Sequence, residues 1–302
     1  MKPNVKQAGR KRAFTIIELL TVMSIIVILI GLLLPAMSKI RRYAAYVRQK
    51  AQLHSIDAAI ELYNNEFEGY PESNALDPTG AEYPGAMKLC EAIMGQDLLG
   101  IHTNSVFRAD GFDAAANNDL YPDNIGGLAP DARDAILKQR KGPFLQTENA
   151  NAYRLEDIYG ASTTLLPQQF VLCDVFERSM ASGKKTGMPI LYFKADTANN
   201  QHDWQAPATS AVDRNGNIYN CYDNMELLNL GKPWESTSGT TTAHKLADPR
   251  QFYWNTTNHK IDTLLRPYKS DMFILLSAGW DGEYGTADDV YNFPWKYEQP
   301  PF

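Results

Sequence analysis

The chain has 302 residues, 44% of them hydrophobic and 21% charged, with 20 glycines, 17 prolines and 16 tyrosines. That composition excludes a disordered polymer, and once the first 65 or so residues are set aside as one helical element, about 230 remain for a single elaborated domain. The net charge of −6 divides into +5 on Lys2, Lys6, Arg10, Lys11 and Arg12 and therefore −11 on the rest, a body without the basic patches that nucleic acid requires.

From Phe14 to Met37 the sequence is apolar with Glu18 as its only charge, long enough to cross a bilayer as a helix. The basic flank holds the N-terminus in the cytoplasm and sends everything after the span outside. A cleaved secretory signal would have a shorter apolar region and a small-residue cleavage site behind it, whereas this run continues into a patterned helix. Glu18 costs about 2.5–3.5 kcal/mol in such a span, and the next Lys or Arg is Lys39, about 30 Å further along a helix. Its partner is therefore expected from elsewhere. An α-amino group freed by cutting before Phe14, on a neighbouring copy of the chain, would neutralise both charges.

Beyond Pro35, Ile40, Ala44, Val47, Ala51, Ala58 and Leu62 recur mostly at three- and four-residue steps, so an amphipathic helix is expected to continue to about Phe67, kinked if anywhere at Pro35. Glu68-Gly69-Tyr70-Pro71 is its stop signal. Residues 72 to about 170 read as an insertion decorating the core, with helical patterns over Gly85–Leu99 and Pro130–Arg140 between polar loops. Strands are expected at Phe170–Phe176, Met188–Lys194, Gln251–Asn255 and Met272–Ser277, giving an α+β fold in which the long helix packs on an antiparallel sheet.

Asp213-Arg214-Asn215-Gly216-Asn217 places oxygen side chains at alternate positions but lacks the Gly and Glu of an EF-hand, and Asn-Gly is better read as the tight turn of a hairpin. Gly183-Lys184-Lys185-Thr186 lacks the upstream glycine of a phosphate loop. The five histidines form no catalytic motif, so no enzyme is expected. Cys90, Cys173 and Cys221 allow either one disulfide and a free thiol or three reduced thiols. In Ser277–Val290, Asp281, Asp288 and Asp289 lie among glycines that let the loop fold back, which suits either a Ca²⁺ site or an acidic turn without metal.

Lys11-Arg12-Ala13-Phe14-Thr15-Ile16-Ile17-Glu18-Leu19-Leu20 resembles the processing motif of type IV prepilins, in which a basic leader ends at a small residue before Phe, with Glu four residues later. Ala13 stands where Gly is usual, and Pro35 sits where pilins and pseudopilins carry a proline. Tyr63 to Pro71 is similar to the stretch that closes the long helix of type II secretion pseudopilins, with a different spacing, and Gly187–Tyr192 resembles the start of a strand in their sheet, with Met188 in place of Asn. Ser277–Val290 resembles the SxGxDGxxGxxDD loop of the major pseudopilin, which binds Ca²⁺. The resemblance is close over the first 70 residues and the last 30 and slight between them.

The resemblance implies a pilin-like fold and cleavage between Ala13 and Phe14 by a prepilin peptidase, with N-methylation of Phe14. It further implies assembly through Phe14, Glu18 and Pro35, and Ca²⁺ held by Asp281, Asp288 and Asp289 with the backbone carbonyls of Ala278 and Glu283. The domains would be a leader (1–13), a membrane and assembly segment (14–37), its amphipathic continuation (38–68), and a periplasmic body (69–302). Implied partners are copies of itself, other pseudopilins, the peptidase and an inner-membrane assembly platform, in a periplasmic filament that drives protein export. Within the same family a type IV pilin for adhesion, motility or DNA uptake is the alternative. A signal-anchored periplasmic binding ectodomain is the alternative outside it.

One measurement decides the N-terminal expectation. Intact mass and N-terminal analysis of the membrane-extracted chain should show an N-methylated Phe14 start only in cells that contain a prepilin peptidase, and a chain beginning at Met1 in both would remove it.

Overall fold

A computed structural model describes residues 15–160, 165–180, 182–235, 241–260 and 265–301, so Ala13 and Phe14 lie outside the described residues. The chain is α+β and divides into two compact units at Ala44–Ala45. Helix α1 runs unbroken from Ile16 to Phe67, through Pro35. By length and composition its N-terminal part can cross a membrane, with a mean hydropathy of 2.8 over its most apolar window and none of that window buried within the chain. It begins with a reciprocal cap. The Thr15 backbone N–H and hydroxyl donate to Glu18 Oε2 at 2.9 and 2.8 Å, and the Glu18 N–H returns a bond to Thr15 Oγ1 at 3.3 Å, which satisfies helix-end donors that would otherwise be orphaned.

In the second unit, the C-terminal part of α1 buries Gln49, Gln52, Leu53, Ile56, Ala59, Ile60 and Tyr63, one stripe at helical spacing. The helix stops at Glu68, which takes the left-handed conformation (φ 57°) in place of its neighbour Gly69. Among the described residues the two ladders that position the Ser277–Val290 loop are built from β1 (Ala152–Arg154), β2 (Phe170–Leu172), β3 (Leu191–Lys194), β4 (Phe273–Ser277) and β5 (Val290–Tyr291), with shorter strand pairs elsewhere. Strands β3, β4 and β5 form an antiparallel sheet with β4 central, pairing Phe273 with Lys194 and Ser277 with Val290. A second antiparallel ladder pairs β1 with β2. The two are sewn together where Ile190 N–H donates to Leu172 O and Asp174 N–H to Met188 O. There Gly187 is obligatory, because a Cβ would run into the backbone and carboxylate oxygens of Asp174.

Side chains of α1 reach sheet backbone directly. Gln49 Oε1 accepts from Val175 N–H at 2.9 Å, Gln52 Nε2 donates to Cys173 O at 2.9 Å, and Lys50 Nζ donates to Tyr291 O at 2.6 Å. Lys269 and Asn292 meet Asp57 of the same helix.

Three expectations need correction. Gln251–Asn255 is not a strand but lies in helix α3 (Pro249–Thr256). Asp248 caps that helix by accepting from Arg250 N–H and Pro249 occupies its first turn, a start signal that overrides the β preference of Phe252-Tyr253-Trp254. Asn215-Gly216 does form a tight turn, with both φ angles positive and Asn217 N–H bonded to Arg214 O, but it joins no hairpin: Asn217 bridges Gln201 in parallel. Helix α2 (Gly85–Met94), inside the supposed decoration, is buried from end to end and packs against β2 and β3. The other helix expected in the insertion, Pro130–Leu137, is exposed.

Buried α2 carries charge. Lys88 Nζ donates to Asn74 O, Asn74 Oδ1 and Leu76 O at 2.7, 2.8 and 2.9 Å. Glu91 accepts from Tyr83, Gln96 and Tyr121 at 2.7, 3.0 and 3.0 Å, and from Ser105. Burial pushes the Glu91 carboxyl pKa up while these donors pull it down. Replacing Glu91 with Ala strands four donors around one buried position, so Glu91→Ala should cost about 3 kcal/mol or more, read as a lowered urea midpoint of the detergent-extracted chain. A change within about 0.5 kcal/mol would mean that the donors find other partners.

Candidate functional site

The first group of expected site residues lies at the start of α1. Glu18 is placed there at the mouth of the apolar helix with both donors of Thr15 on one carboxylate oxygen. Both donors are neutral, so the carboxylate, for which a cationic partner is expected from a neighbouring copy, is hydrogen-bonded here without its charge being neutralised. Pro35 lies mid-helix and leaves the element continuous, with its carbonyl accepting from Ser38 Oγ at 2.9 Å.

The second group is the loop from β4 to β5, Ser277–Val290. Sharp turns at Gly279, Gly282 and Gly285, each with positive φ, fold it back on itself. Where it doubles back, Asp281 N–H donates to Asp288 Oδ2 at 2.9 Å and Glu283 N–H to Asp281 Oδ1 at 2.8 Å. The Thr286 hydroxyl faces three acceptors at once: Asp281 Oδ2 at 3.0 Å, Asp288 Oδ1 at 2.7 Å and the Glu283 carbonyl at 3.2 Å. One hydroxyl proton serves one of them at a time. Burial and then the neighbouring Asp288 charge push the Asp281 carboxyl pKa up, the behaviour of two like charges sharing a site.

Asp289 stands apart from this pair. It is buried, accepts from Gly285 N–H at 2.9 Å through Oδ2, and leaves Oδ1 without a hydrogen-bond partner. Burial drives its pKa well above the usual carboxylate range. The structure thus brings Asp281, Asp288 and the Glu283 carbonyl to one point and turns Asp289 inward. Among the described residues no three Asp, Glu, His or Cys side chains stand together as a ready metal cage. Ala278 is buried at the loop entrance. The Glu283 side chain is engaged elsewhere, by Lys245 N–H at 2.8 Å, Lys232 Nζ at 3.1 Å and His244 Nδ1 at 3.4 Å. Burial opposes ionisation of Glu283, but these partners hold its pKa at about 2.

Several residues that hold the loop carry no local signal in the sequence. Asp174, at the end of the β2 segment, accepts from Phe176 and Met188 N–H through Oδ1 and from Ser277 Oγ at 2.9 Å through Oδ2. It therefore pins the first residue of the loop from about a hundred residues away. Arg178 and Trp234 hold the loop's far side.

Burial raises the Asp174 pKa to about 7, against the bonds it accepts. The unfolded chain releases this proton near pH 4 and the folded chain keeps it to about 7, so this group's contribution to stability falls as pH rises through that window. The chain should lose stability from pH 5 to 7.5 through this residue. Asp174→Asn, which keeps the shape and the two backbone bonds to Oδ1 and turns the Ser277 bond round so that Nδ2 donates to Oγ, should flatten the slope in a pH series of thermal melts, and an unchanged slope would place the titration elsewhere.

Compared with protein-family models, curated proteins and solved structures, the chain matches none.

Proposed function

We propose that this chain is a pseudopilin subunit of a type II secretion system, a non-enzymatic inner-membrane protein that polymerises into a periplasmic filament and drives protein export. The observation that carries the reading is the start of α1: a lone carboxylate at the mouth of an apolar helix able to cross a membrane, directly after Lys11-Arg12-Ala13-Phe14. The long helix, the antiparallel sheet and the β4–β5 loop fit a pilin-like subunit. In this reading a prepilin peptidase cuts before Phe14, and an assembly platform draws α1 from lipid into contact with the helices of other pseudopilins. Apolar surface stays buried in both places. Pairing of Glu18 with the Phe14 amine of a neighbour sets the register.

Ca²⁺ belongs to the same reading. The loop offers a hard cation the Asp281 and Asp288 carboxylates and the Glu283 carbonyl around one hydroxyl. Asp289, turned inward with Oδ1 unpartnered, would join them only by a rearrangement of the loop, and Ala278 lies at its entrance. Oxygen ligands of this kind suit Ca²⁺. When bound, the ion would neutralise crowded carboxylates and tie the two arms of the loop.

One observation fits a signal-anchored ectodomain as well: two neutral donors of Thr15 cap Glu18 within the chain. Glu18→Gln separates the two readings, because the amide keeps the cap and removes the charge. The variant should insert into the membrane at the parental level and form no filaments by electron microscopy and cross-linking. Parental filaments from Glu18→Gln would leave the residue as a cap alone.

A further inference from the structure

The β4–β5 loop is gripped from outside by a cation that belongs to the chain. Arg178 Nη1 donates to the Asp281 carbonyl at 3.0 Å, and Nη2 donates to the Trp280 carbonyl. The guanidinium lies 4.2 Å over the Trp234 ring. Gly282 rests against the same pair: a Cβ there would meet the Trp234 ring and the Arg178 guanidinium, so only glycine lets the loop lie this close. Trp280, the residue whose carbonyl Arg178 takes, packs edge-on against Phe176, with ring centroids 6.3 Å apart. Asp174, Asp281 and Asp288 all lie within the field of this one guanidinium. Lys232, two residues before Trp234, adds a second cation on Glu283.

The arrangement supplies what a divalent ion supplies to an acidic loop. It offers positive charge near crowded carboxylates and donors to carbonyls that would otherwise point into a half-buried cleft. Arginine suits the task because its planar fork serves two carbonyls at once while its face stacks on an aromatic ring, which lysine cannot match. The segments that carry the clamp, around residues 178 and 232–234, lie far from the loop in sequence. Their contacts therefore close long stretches of chain.

We propose that Arg178, stacked on Trp234 and bonded to the Trp280 and Asp281 carbonyls, is a built-in counter-cation that keeps the β4–β5 loop folded when no metal is bound. This rests on the reading of the loop as a Ca²⁺ site. A divalent ion then adds to a loop already in shape rather than creating it, so the subunit keeps its fold where calcium is scarce.

The test uses the full chain in detergent micelles, melted in chelator and in millimolar CaCl₂, with MgCl₂ as control. In chelator, Arg178→Gln should melt about 5 °C or more below the parent, the scale expected for two charge-assisted bonds in a body of this size. Calcium should restore most of that loss, so its stabilising shift is at least twice as large in the variant as in the parent. Arg178→Lys and Trp234→Leu should fall between the two, and they carry the test if Arg178→Gln does not fold. Equal calcium shifts in parent and variants, zero included, would overturn the proposal, as would a variant as stable as the parent in chelator. The calcium reading is judged separately on the parent, whose calcium shift should be present and should vanish in Asp288→Ala.

Discussion

Asp174 stands where three segments distant in sequence must meet. Its backbone N–H bonds Met188 O, and its carboxylate accepts from Phe176 N–H, Met188 N–H and Ser277 Oγ. The same few atoms thus join the β1–β2 ladder to the approach of β3 and to the end of β4. A carboxylate buried among three donors is directional in a way an apolar contact is not. The body depends on it for register, because a one-residue slip between the segments at 172–174 and 188–190 would break all of these bonds together. The close approach at Gly187 leaves no room for a compensating shift.

The same logic recurs on α2. A helix buried on all sides is ordinarily apolar on all sides, but this one keeps Lys88 and Glu91 in the interior, each with three or four partners. The partners belong to the segments on either side, residues 74–83 and 96–121. The buried charges thereby fix how the long insertion wraps the helix that it carries into the core. Burial disfavours charge on both groups, lowering the Lys88 pKa to about 8 and raising that of Glu91, and the hydrogen bonds offset that cost.

What the sequence reveals follows the range of the interactions. Helix α1 is legible from its apolar run and its three- and four-residue steps, and β2, β3 and β4 from apolar clusters at 170–172, 191–194 and 273–277, because each signal is contained in its own segment. The strand read at Gln251–Asn255 fails because the deciding residues, Asp248 and Pro249, lie just before it. Helix α2 reads as surface because Lys88 and Glu91 interrupt its apolar face, and nothing nearby announces their partners. In the loop, the three aspartates read together as Ca²⁺ ligands are divided: Asp281 and Asp288 both reach the Thr286 hydroxyl. Asp289 is turned into the body, because neighbours entering a strand face opposite sides. Asp174, Arg178 and Trp234 reach the loop only through tertiary structure.

The contacts of α1 with the sheet have a consequence for strand addition at its margin. Strands left open at a sheet margin are templates for further strands. Here Lys50 occupies the outward carbonyl of Tyr291 in β5, and Gln49 and Gln52 take the Val175 N–H and Cys173 carbonyl on the segment that follows β2. The helix itself covers these backbone groups, so a second copy finds no vacant ladder there to extend. Along this margin the chain's own helix, rather than a charged or shortened edge strand, closes the backbone to strand addition.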